Sequence, residues 1–167
     1  MMSPDERSLV LAMVVVPGRE AISAEDFLHR FGASDGEKLG LGLLHDAVDR
    51  RDPVDVELAL VVCFRFGFSD AHLAPLRSLA FADWHQRHED VATALGRVGS
   101  PGAVGALAHL AEWVPSYLDY DDARALATKA VWALGSIYDP AARRVLESLS
   151  RADDGIVART ARAQLER

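Results

Sequence analysis

"ATALGRVGSP" (Ala92–Pro101) and "VWALGSIYDP" (Val131–Pro140) are the two stretches on which the fold turns. Each carries Ala-Leu-Gly, then an apolar residue, then Ser-Pro or Asp-Pro. A Ser or Asp followed by proline is a helix-start signal: the side-chain oxygen caps the free N–H groups, and proline suits the first helical position. Each stretch therefore reads as the end of one helix, a short turn and the start of the next. Working outward, Ser69 to Leu95 and Asp139 to Leu165 each span 26 positions, whereas Ser100 to Leu134 spans 34, so the middle unit carries an eight-residue insertion. Leu73, Leu76 and Leu79 then align with Val104, Leu107 and Leu110, spaced to form one apolar stripe on a helix. The last unit keeps Leu146 and Leu149 but has Arg143 in the first place, as expected of a terminal unit with one exposed face.

Upstream, Ser3-Pro4-Asp5-Glu6, Ser34 with Glu37, and Asp52-Pro53 with Asp55 follow the same helix-start logic. No run of alternating strand residues competes with them, so the expected fold is all helical. "LATKAVWALGSIYDP" (Leu126–Pro140) and "DDGIVARTARAQLER" (Asp153–Arg167) resemble HEAT-type repeats, in particular the short bacterial kind related to phycobilisome-lyase repeats. In those the second helix runs roughly V-R-x-x-A-A-x-A-L-G and the next repeat opens with D-P. Ala127 and Ala158 depart from the pattern, leaving an inter-repeat Asp–Arg ladder without its arginines. The resemblance implies a short right-handed α-solenoid of antiparallel helix pairs, about three to four repeats. It implies one domain, 1–167: capping helices over 1–33, a divergent pair over 34–68, and repeats over 69–99, 100–138 and 139–167.

In this register the second helices line a concave face. Their solvent-facing places are Glu89, Asp90 and Thr93, then Thr128, Lys129 and Trp132, then Arg159, Thr160 and Ala163. A large aromatic such as Trp132 at such a place invites a partner. The insertion lies within "EWVPSYLDYDDARA" (Glu112–Ala125) and gathers Trp113, Tyr117 and Tyr120 with Asp119, Asp121 and Asp122. Pro115 should end the first helix, and Asp121 or Asp122 can cap the second. Aromatics interleaved with carboxylates suit a basic protein surface, the rings anchoring and the acids steering. If neighbouring turns stack, Trp84 and His85 join this ridge, and surface histidines there would make binding depend on pH near neutrality.

The formal charge is −7, unevenly spread. Phe81–Asp122 carries seven acids against Arg87 and Arg97, a net of −5, whereas Asp139–Arg167 nets +1. An acidic middle repels phosphate backbones, so no nucleic acid is expected as a partner. Cys63 is the only cysteine, which precludes an intrachain disulfide or a Cys-based zinc cluster. Among 18 basic residues only Lys38 and Lys129 are lysine, a composition that points to a GC-rich bacterial genome. "SLVLAMVVV" (Ser8–Val16) follows acids rather than a basic stretch and is too short to span a bilayer. It is expected to be a buried first helix of a cytoplasmic protein with no membrane partner.

"RHEDVATALG" (Arg87–Gly96) also resembles a metal-binding helix of deoxyhypusine hydroxylase, another protein of such repeats, which holds its irons with His-Glu pairs at equivalent places. Here Ala127-Thr128 and Ala158-Arg159 stand at the places matching His88-Glu89, and His109 with Glu112 falls on a first helix, away from His88. Metal binding needs ligands converging from several elements, so no metal, cofactor or catalytic residue is expected. The expected function is a non-enzymatic protein-binding scaffold, of the immunity or inhibitor type, for a partner with a basic surface. The alternative is an enzyme or enzyme accessory of the cofactor-lyase or metal-dependent hydroxylase kind.

Overall fold

Side-chain caps form at most of the expected helix starts. In the computed structural model, which describes residues 1–167, the Ser3 hydroxyl accepts from the Glu6 N–H while the Glu6 carboxylate accepts from the Ser3 N–H, opening α1 (Pro4–Leu11). Asp52 caps the N–H groups of Val54 and Asp55 at the start of α4 (Pro53–Phe66). The helix α3 (Gly36–Arg50) is capped by Asp35 rather than Ser34, because the Asp35 carboxylate reaches the Lys38 N–H. Between α1 and α3 lies α2 (Ala24–Phe31).

The chain divides into two compact units, Met1–Ala71 and His72–Arg167. In the first, α3 and α4 pack along their length, and α1 packs on α4 and α2. Gly40 makes the first pairing possible: a Cβ there would stand 3.0 Å from Cys63 Sγ and 3.2 Å from its backbone nitrogen. Met2, Val10, Phe27, Leu58 and Val62 form the core, with Phe27 ringed by Phe31 and Phe66. The first apolar run departs from the expected buried helix. α1 stops at Leu11, and of Ser8–Val16 only Leu9, Val10 and Met13 are buried, while Val15 is 82% exposed. The β-branched Val14-Val15-Val16 run has poor helix propensity and lies beside the turn at Gly18 (φ 81°).

The second unit comprises α5 (Leu73–Ala80), α6 (His88–Val98), α7 (Val104–Glu112), α8 (Ala125–Ser136), α9 (Pro140–Leu149) and α10 (Gly155–Leu165). Short 3₁₀ turns at Asp70–His72 and Pro101–Ala103 precede α5 and α7, so the Ser69 and Ser100 signals start a turn before the helix. Helices α6, α8 and α10 pack in succession, as do α5, α7 and α9. The aligned stripe residues Leu76, Leu79, Leu107, Leu110, Leu146 and Leu149 are all buried. Every regular element is helical, and no helix is long and apolar enough to cross a membrane.

Asp139 offers a test of the cap–proline signal. Its carboxylate accepts the Ala141 N–H at 2.7 Å at the head of α9. Asp139→Ala is expected to cost about 1 kcal/mol of stability, read by urea denaturation. A loss indistinguishable from zero would mean the cap does not hold in solution.

Candidate functional site

The insertion follows from its prolines and aspartates. α7 ends at Glu112, and Pro115, which cannot donate to a helix, is buried at the head of a 3₁₀ turn, Ser116–Leu118. Asp121 is the residue that starts α8: its two carboxylate oxygens accept the N–H groups of Ala123 at 3.1 Å and Ala125 at 2.7 Å. Between them Arg124 takes the left-handed conformation (φ 53°) and pairs through Nε with Asp154 at 2.9 Å. Asp121 is therefore committed to the backbone. Asp119, Asp122 and Tyr120, the last 76% exposed, are left facing solvent. Asp119 and Asp122 border a hollow of about 450 Å³ whose wall also includes Leu118, Arg124, Asp154 and Arg159.

The insertion's other two aromatics turn inward, into a continuous chain of rings. Phe81 stacks on His109 (centroids 4.6 Å apart), His109 on Trp113 (5.2 Å), and Trp113 meets His88 edge-on (4.8 Å). His88 stacks on His85 at 4.1 Å and on Tyr117 at 5.7 Å, and Trp84 meets His85 edge-on at 5.3 Å. Trp84, His85, Trp113 and Tyr117 are thus brought together, but as a packed cluster in which Trp113 and Tyr117 are half-buried. Three expectations are corrected here. His85 and His88 are not surface residues; both are fully buried. Burial shifts both downward from the ordinary imidazole value, and His109, expected far from His88, shares its cluster.

A backbone N–H holds His85 in the neutral form, and burial favours the neutral form of His88. His85 Nε2–H donates to the Leu79 carbonyl (2.9 Å) and its Nδ1 accepts from the Arg87 N–H (3.0 Å). His88 Nε2–H donates to the Ala82 carbonyl (2.7 Å) and its Nδ1 accepts from the Tyr117 hydroxyl (2.8 Å). Burial pushes His88 down to about 4, with the neighbouring His85 adding to the effect and the Ala82 carbonyl opposing it. Burial also lowers His85 and His109 and raises Tyr117. With both ring nitrogens engaged, His88 offers no lone pair to a metal. No three His, Cys, Asp or Glu side chains converge as a metal set elsewhere.

The inner-helix residues divide in the same way. Glu89 and Lys129 pair with each other across α6 and α8 at 2.7 Å, and Asp90 lies 3.9 Å from Arg87. Trp132 is 55% exposed and, with the fully exposed Tyr138, borders a groove of about 760 Å³. Ile137, Leu146 and Leu165 contribute apolar surface to it, and Arg143 and Arg167 lie at its edge. Sequence reasoning did not single out Tyr138; its place one residue before the Asp139 cap, where no helix face can cover it, was the available signal. Comparison with known proteins finds no matching family model, no matching curated protein and no matching solved structure.

Proposed function

We propose that this chain is a non-enzymatic protein-binding module, a short HEAT-like solenoid of helix pairs that engages a basic protein surface with the exposed lip of its insertion. The solenoid reading is supported by the successive packing of α6, α8 and α10 and of α5, α7 and α9, together with the recurring Ala-Leu-Gly of α6 and α8. An inhibitor-type role against a cationic toxin or nuclease, implied by the repeat resemblance, is the specific form of this reading.

One observation carries the binding role. The insertion is fastened by Trp113 and Tyr117 within the ring cluster, while Tyr120 stands exposed among Asp119, Asp121 and Asp122, and those three carboxylates line a hollow together with Arg124 and Arg159. A loop ordered before binding loses little conformational entropy on complex formation. A tyrosine flanked by carboxylates supplies an anchoring ring with charges that pair with Arg or Lys.

The test is a combined variant, Asp119→Asn, Tyr120→Ala and Asp122→Asn. None of these side chains is buried, so stability should change by less than about 0.5 kcal/mol. Affinity for a basic partner captured by the parent protein is expected to fall at least tenfold, and association of the parent should slow steeply with added salt. A partner that binds parent and variant equally would overturn the reading.

A further inference from the structure

We propose that the stacked His85–His88 pair is a proton-operated latch, holding the insertion closed at neutral pH and releasing it in acid. The inference rests on the insertion being the binding face, and it supplies that face with a control.

The first support is hydrogen-bond polarity. Both Nδ1 atoms act as acceptors, one from the Arg87 N–H and the other from the Tyr117 hydroxyl. A proton on His85 Nδ1 would set two donors against each other, because a backbone N–H cannot turn to accept. A proton on His88 reverses the bond to Tyr117, and two imidazoliums stacked at 4.1 Å would repel.

The second support is the absence of a compensating charge. The elements packed around the pair bring Arg87 from the preceding turn, Glu89 and Asp90 from α6, His109 and Glu112 from α7, Tyr117 from the insertion and Lys129 from α8. α5 and the residues after it bring the carbonyls of Leu79 and Ala82, and Asp83 on that turn is exposed to solvent. Both nearby carboxylates are committed elsewhere, Glu89 to Lys129 and Asp90 towards Arg87. Glu112 acts on His109, which is itself a source of positive charge facing His88. A buried imidazolium here is cheapest to accommodate by exposing it.

The third support is where the structure would open. Between Trp113 and Arg124 only Pro115 is buried, and the 3₁₀ turn has no buried residue. The insertion is held by the ring cluster, the buried Pro115, the Asp121 cap and the Arg124–Asp154 pair, whereas the flanking α7 and α8 are anchored by Leu107, Leu110, Val131 and Leu134, each fully buried. Local opening therefore requires far less than unfolding the helices.

Linkage gives the direction and size. His88 keeps its ordinary value of 6.5 when exposed and about 4 when closed in, so the open state binds more protons throughout that window. Between pH 7.5 and pH 5 the opening equilibrium should rise about 30-fold from His88 alone.

Hydrogen exchange of the full chain, without partner and corrected for intrinsic rates, tests this. Amides of Val114–Arg124 should lose protection at least tenfold at pH 5, while those of α7 and α8 keep theirs. His88→Gln, whose amide can donate to Ala82 and accept from Tyr117 without titrating, should blunt the response. Should that variant misfold, imidazole ¹⁵N shifts of the parent decide, since His88 must titrate together with the opening. No loss at pH 5, a loss spread evenly over α5–α10, or an undiminished response in a folded His88→Gln protein would each overturn the latch. A failure of the lip as binding face would appear elsewhere, as partner capture indifferent to Tyr120→Ala, with the exchange result unchanged.

Discussion

Asp55→Ala is expected to cost about 3 kcal/mol of folding stability, the largest single-site effect foreseen for the chain. The Asp55 carboxylate is 1% exposed. Its Oδ2 accepts from Arg50 Nη2 at 2.5 Å and from the Met2 N–H at 3.2 Å, and its Oδ1 lies 2.9 Å from Arg7 Nη2. One buried acid thus ties α1, α3 and α4 together and seats Met2, a member of the core. Truncation removes the buried carboxylate shared by two guanidiniums and leaves them with only Asp52, which contacts both, and Asp46, which contacts Arg50. Full burial of those cations would place the cost near the top of the usual 3–5 kcal/mol range. Their side chains are 32% and 27% exposed, and Asp52 and Asp46 remain within reach, so water and neighbours recover part of it. Asp55→Asn keeps the shape and one acceptor and should lose roughly half as much. Urea denaturation measures both, and exchange of α1–α4 amides shows whether the loss lies in the first unit. A loss below about 1 kcal/mol for Asp55→Ala would mean that the guanidiniums rehydrate freely.

What the sequence disclosed, and what it hid, divides by the range of the forces involved. Caps act within three or four residues, so Ser3, Asp52 and Asp139 were legible, and the error at Ser34 was one residue because Asp35 competes for the same N–H groups. The apolar stripes were legible because helical spacing alone puts Leu76 and Leu79, or Leu107 and Leu110, on one face. Asp55 could be recognised only as an acid in a first helical turn; its partner Arg7 is far upstream, and no local pattern marks the pairing. The histidines were hidden for another reason. Apart from the Tyr117 hydroxyl, 29 residues downstream of His88, their partners are the carbonyls of Leu79 and Ala82 and the N–H of Arg87, backbone groups that every residue carries. A sequence can show that histidines are present, but not that the main chain has claimed them. The insertion was legible by its length, whereas the sorting of its aromatics, Tyr120 outward and Trp113 and Tyr117 inward, depends on rings contributed by other helices.

The repeated Ala-Leu-Gly allows a sharper prediction, because its two glycines meet different neighbours. A Cβ at Gly96 of α6 would lie 2.8 Å from the Cβ of Ala133 on α8, closer than carbon atoms approach, and a tight 3.1 Å from its Cα. The obstacle is backbone and a methyl group fixed to it, so relief requires the two helices to move apart. Gly96→Ala is therefore expected to destabilise by about 1 kcal/mol net, since overpacking costs roughly 1–3 kcal/mol and outweighs the gain of about 1 kcal/mol in helix propensity. At Gly135 of α8 the added Cβ would meet the side chain of Gln164 on α10. Gln164 is half-buried and flexible, so it can swing aside for the loss of a weak contact with Arg167 (3.4 Å). Gly135→Ala should then lie between neutral and about 1 kcal/mol stabilising. Gly105, in the first turns of α7 with open space around it, calibrates the propensity gain by itself. Paired denaturation curves for the three alanine variants give the comparison. If Gly96→Ala matches Gly105→Ala, the close approach of α6 and α8 is not what the glycine serves. If it falls below the parent while Gly135→Ala does not, the recurring glycine is a packing requirement between α6 and α8 that the α8–α10 pair no longer enforces.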